Sequence, residues 1–212
     1  MKKVLFFIIW ILVLAIGPIT ILKGFSFELL KNPTIAINFF QRVTGLVAFS
    51  LIFSQVVIGS NMSKLIEKLG AWVFKFHVVE GIFTYLLVLT HPLLAVLFNW
   101  KLKGTIDPFY VFTDFCILCK TNLELFYTFG RVSFWLITIA VAAGLLRTQP
   151  WLRKNWKKFH YLNYLVFFLI AIHSWFVGSD VQSKPFLYFF YVSVPVVAGL
   201  LIYKLIKKFK SA

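Results

Sequence analysis

Four histidines are the residues in this chain best suited to chemistry, and they fall into two pairs: His77 and His91 lie 14 positions apart, and His160 and His173 lie 13 apart. Imidazole ligates metals as a neutral group, and it is the only side chain whose ordinary titration falls near neutrality. On a helix rising about 1.5 Å per residue these separations are roughly 21 and 20 Å. Two such helices side by side would offer ring nitrogens at two matched heights. Each height then holds His on both faces of one iron, the ligation of a b-type haem. The rival use of the same residues is a His-lined metal or ion transporter. Zinc or copper sites, however, gather His with Cys, Met or carboxylates at one level, and these pairs stand about 20 Å apart.

The elements that must carry these rings are apolar. The 212 residues are 60% hydrophobic and 14% charged, with 26 Phe against 7 acidic residues and a mean hydropathy of +0.87. That composition excludes an ordinary soluble domain, a disordered chain and a disulfide-rich secreted one. A spanning helix needs about 20 apolar residues, and six stretches qualify: residues 4–22, 35–60, 71–100, 125–146, 159–178 and 185–203. Apolar on all sides, they do not alternate as barrel strands would. The expected fold is an all-α integral membrane protein, a six-transmembrane-helix bundle forming one domain over 1–212 in the cell membrane. The first stretch is read as a retained helix, because it runs long for a signal peptide and lacks a small-residue cleavage site.

Basic residues set the orientation. Thirteen, from Lys2 and Lys3 through Lys64, Lys68 and the Arg147 to Lys158 loop to Lys204–Lys210, fall on one side, and six fall on the other. Both termini are therefore expected to be cytoplasmic. The same rule accounts for the net charge of +15 without a nucleic-acid partner. Trp72 and Trp156 then mark the inner interface, and Trp100 and Trp175 the outer one. Residues 63–70 read as a short interfacial helix.

All four histidines lie within spans, where ionisable groups are uncommon and usually functional. His77 and His160 fall near the inner face, His91 and His173 near the outer. Arg42 and Arg131 share the outer depth and are candidates for the propionates of an outer haem or for an anionic acceptor. Lys75, Arg147, Lys157 and Lys158 fall near the inner pair. Glu80, one turn beyond His77, pairs by default with Lys75. Phe83 and Phe167 lie midway between ligands and are expected to fill the gap between them. At about 100° per residue, 14 positions return to nearly the same face and 13 miss it by about 140°. The fifth span must therefore bend, bulge or tilt its ligands, unless Pro92 adjusts the third. Cys116 and Cys119, in the longest loop, are read as a disulfide or free thiols.

Residues 69–94, LGAWVFKFHVVEGIFTYLLVLTHPLL, and 153–176, RKNWKKFHYLNYLVFFLIAIHSWF, resemble the third and fifth helices of the ferric reductase-like transmembrane family, which includes the NADPH oxidases. Gly130-Arg131 and the AGLLR ending of the fourth span fit it too. The resemblance implies an inner haem on His77 and His160, an outer haem on His91 and His173, and electron transfer from cytoplasm to exterior. It departs from the full-length reductases, which continue into a flavin and nicotinamide domain. No G-x-G occurs here, and no FAD or NAD(P) site is expected. The chain would thus be an oxidoreductase membrane subunit needing a separate donor, a cytoplasmic flavoprotein or quinol, and an extracytoplasmic acceptor. The haem-binding membrane subunit of the periplasmic methionine sulfoxide reductase system is also similar in size and fifth-helix pattern.

Overall fold

The computed structural model describes residues 1–210. Six long apolar helices account for most of them: α1 Lys2–Leu22, α2 Pro33–Ser60, α4 Trp72–Lys103, α6 Asn122–Leu145, the broken span α7 Trp156–His160 and α8 Leu162–Val177, and α9 Phe186–Lys210. Between α2 and α4 lies the short α3, Met62–Leu69, and between α4 and α6 the single turn α5, Tyr110–Thr113. No strand occurs among the described residues. The six-span membrane bundle expected from hydropathy is the fold observed, with most ends shifted by three residues or fewer and the last helix running on to Lys210.

The helix ends follow from local chemistry. Asn32 caps α2, its side chain accepting from the amides of Thr34 and Ile35 with Pro33 in the first turn; a proline there gives up no hydrogen bond and is preset for helix. Thr121 caps α6 by accepting from the Glu124 amide. Gly104 ends α4 at φ +71°, a left-handed conformation that glycine adopts without penalty.

Packing arranges four spans as a ring. α2 packs on α4 and α6 on α8, and α2–α8 and α4–α6 contacts close the circle. α1 and α9 pack against the α2 side. The two histidine-bearing helices, α4 and α8, therefore occupy opposite corners and are not neighbours as expected from sequence. That separation leaves the middle of the ring open for something between them. α2 is the most enclosed span, and its Phe49 stacks among Phe167, Phe186 and Phe190 in the core.

The fifth span, where a departure from regular helix is expected, is the one that breaks. The helix is interrupted at Tyr161, immediately after His160, and restarts at Leu162. The interruption falls between His160 and His173, while α4 runs unbroken through Pro92. Two expectations fail on helical phase. Phe83 is 48% exposed on the outer surface of the bundle, and Phe167, though fully buried, packs on Phe49 in the aromatic core and lines neither cavity. Glu80 does not pair with Lys75: it turns inward to Trp10 and Gln55, and Lys75 is exposed.

Candidate functional site

The ring encloses two cavities, one towards the end carrying both chain termini and one towards the other end. We call them near and far. The far cavity measures about 580 Å³ and is lined by His91 and His173, with Gly45, Gly130, Arg42 and Arg131. The near cavity, about 520 Å³, is lined by His77 and His160, with Gly59, Gly144, Arg147 and Lys204. Both volumes fall in the ~300–1,000 Å³ range of cofactor sites. Ile52 and Ile137 line both cavities and form an apolar septum between them. The structure thus sorts the four histidines into the pairs inferred from their depths.

In the far cavity, backbone carbonyls on the flanking helices fix the rings. His91 Nδ1 lies 3.0 Å from the carbonyl of Gln41 on α2, and His173 Nδ1 lies 2.9 Å from that of Phe126 on α6. A carbonyl only accepts, so each Nδ1 carries the proton and donates it, leaving Nε2 as the lone-pair nitrogen on a ring at the cavity wall. This is how metal-ligating imidazoles are commonly oriented.

In the near cavity, the His77 and His160 ring centres stand 6.1 Å apart and are nearly perpendicular, at 83°. A metal about 2 Å from a nitrogen of each ring would space their centres by roughly 6 Å. The Nδ1 of His77 is buried without a hydrogen-bond partner, an orphan that needs an explanation in a native structure. The amide nitrogen of Asn163 lies 3.5 Å from His160 Nδ1.

Each histidine is also backed by a glycine, and at the two far ones a side chain could not be added without displacing the ring. A Cβ on Gly45 would stand 2.8 Å from His91 Cε1, and one on Gly130 2.9 Å from His173 Nδ1. The corresponding approaches are 3.3 Å for Gly59 to His77 and 3.7 Å for Gly144 to His160. Gly45 and Gly59 on α2, and Gly130 and Gly144 on α6, repeat the 14-residue interval of His77 and His91. Imidazole helices at two corners of the ring thus face glycine helices at the other two. No protein-family model, no curated protein and no solved structure matches this chain. Any functional reading has to stand on these residues and their geometry.

Cations surround both cavities. Arg131 is 8% exposed; its Nε donates to the Tyr110 carbonyl at 3.0 Å, and Asp114 lies 3.6 Å from its Nη2. Arg42 is engaged by Asp180 through both its Nε, at 2.6 Å, and its Nη2. Of the two outer-depth arginines, Arg131 therefore keeps more unshared capacity towards an anion in the cavity. Tyr110, also on the far wall, accepts from the Asn99 amide, and burial raises its phenol above the ordinary value, so it stays neutral. Around the near cavity stand Arg147, Lys157 and, unforeseen from sequence, Lys204 from α9. Lys75 and Lys158 do not line it. Cys116 and Cys119 form a disulfide in the far-end loop, tied to α6 by the Cys116 amide donating to Thr128 Oγ1 at 3.0 Å.

Proposed function

We propose that the chain is a membrane cytochrome b of the ferric reductase-like kind, carrying electrons across the bilayer through two bis-histidine haems. The observation that carries this reading is the fourfold match of histidine and glycine: each cavity has two opposed imidazoles, each backed by a glycine, at both ends of one ring. Bound there, a b-type haem supplies a one-electron iron couple.

The chain's own residues would do the rest. His77 and His160 hold the near haem, and His91 and His173 hold the far one. Gln41 and Phe126 keep the far rings in the ligating tautomer through their carbonyls. The glycines let the flanking helices close against the rings. Arg131 in the far cavity, with Arg42 held by Asp180 beside it, and Arg147 and Lys204 in the near cavity, would neutralise carboxylates that would otherwise be buried uncompensated. The septum of Ile52 and Ile137 keeps water and ions from passing between the sites.

The excess of basic residues at the near end supports a cytoplasmic orientation for that end. A flavoprotein or quinol would donate there, and an extracytoplasmic acceptor would take electrons at the far end. Reconstitution tests this directly. Purified chain should show a b-type α-band on dithionite reduction, and liposomes holding it should pass electrons from external dithionite to an enclosed ferricyanide pool. A colourless chain that instead carries zinc or copper ions into the same liposomes would favour the transporter.

A further inference from the structure

Buried charges of opposite sign lie beside the two cavities. At the near one it is Glu80, 3% exposed and one turn from His77 on α4. Its Oε1 accepts from Trp10 Nε1 at 2.6 Å and its Oε2 from Gln55 Nε2 at 2.5 Å, and the Ser54 hydroxyl also hydrogen-bonds it. An N–H donor on each oxygen is the arrangement that solvates a buried carboxylate. Gln55 Nε2 also lies 3.0 Å from the His77 carbonyl, so one side chain links the acid to the ligand's own turn of helix.

At the far cavity the buried charge is Arg131, and its nearest acid, Asp114, is 68% exposed. Arg42 and Asp180 beside it compensate each other. The other cations on the walls are half-buried or exposed: Arg147, Lys157 and Lys204 at the near cavity and Lys103 at the far one. Water and salt screen such charges far more than buried ones.

Reduction makes a metal centre one unit more negative, so a fixed buried anion opposes it and a fixed buried cation favours it. We propose that Glu80 and Arg131 build a potential step into the bundle, low at the near site and high at the far site, so that electrons run downhill from the near end to the far end. This rests on the electron-transfer reading and adds its direction. Each charge is expected to shift the oxidised-to-reduced ratio of its own site by about tenfold, or 59 mV for a one-electron couple.

Potentiometric titration of the α-band in the purified full chain tests it. Glu80→Gln should raise the lower-potential component alone, and Arg131→Gln should lower the higher one alone. Glu80→Asp and Arg131→Lys should stay near the wild type. A second comparison needs neither residue changed: the His173→Ala chain, keeping the near site, should titrate below the His77→Ala chain, keeping the far one. Two haems whose potentials ignore both charge changes, or a near site above the far one, would overturn the potential step and leave the electron-transfer reading standing. A chain that binds no haem would overturn both.

Discussion

The near and far cavities are built to one plan from different materials. Each has an imidazole from α4 facing one from the broken α7–α8 span, with glycines of α2 and α6 behind them. The far rings are both pinned by carbonyls at 3.0 and 2.9 Å, and a Cβ added to either of their glycines would stand within 2.9 Å of a ring atom. The near rings are held unequally: His160 is hydrogen-bonded by the Ala140 backbone, whereas His77 Nδ1 has no partner, the glycine approaches are 3.3 and 3.7 Å, and the helix breaks directly after His160. The far site is thus preorganised at both rings, whereas the near site leaves the His77 ring for its ligand to fix.

The largest expected effects come from the ligands themselves. His91→Ala or His173→Ala should halve the haem bound per chain and leave the near site's spectrum intact, and His77→Ala or His160→Ala should do the converse. If one substitution removed both haems, the two-site division would fail. Glycine substitutions should then grade with the measured approaches. Gly45→Val and Gly130→Val should empty the far site, Gly59→Ala should weaken the near one, and Gly144→Ala should be close to neutral. Equal effects at all four would mean that ring packing does not decide occupancy. Heating the loaded protein while following its absorbance should release the near haem first, and simultaneous loss would remove the contrast in preorganisation.

Smaller effects concern the far rim. Asp180→Asn leaves Arg42 without its carboxylate; losing a charged hydrogen bond costs about 2 kcal/mol, so thermal unfolding should come earlier with both haems retained. Opening the Cys116–Cys119 disulfide by a Cys116→Ser, Cys119→Ser double substitution should matter least. Its ring closes only a few residues, and loop-closure entropy then contributes about 2 kcal/mol or less. Neither haem should change spectrally.

Span number and extent were legible because a bilayer sets a length that apolar runs must meet, and the paired depths of the histidines followed from it. The break at Tyr161 was legible as a need, since 13 positions cannot return to one face. What failed was rotation. In helices apolar all round, nothing in the sequence says which face is turned inward, and neither the exposure of Phe83 nor the partner of Glu80 is legible there. Its true partner, Trp10, is 70 positions away, and Arg42's partner Asp180 is 138 away. The ring order was equally hidden, and with it the diagonal placing of α4 and α8. The sequence does carry one signal of it: glycines at 45 and 59, and at 130 and 144, repeat the interval of His77 and His91, as helices closing over two evenly spaced rings require.

The central claim is that opposed imidazoles hold one haem at each end of the ring. Haem-to-chain stoichiometry in the purified wild type, measured beside its four single histidine-to-alanine variants, tests it most directly. The account predicts two haems in the wild type and one in every variant. A wild type with one haem or none, or variants that all keep two, would contradict it.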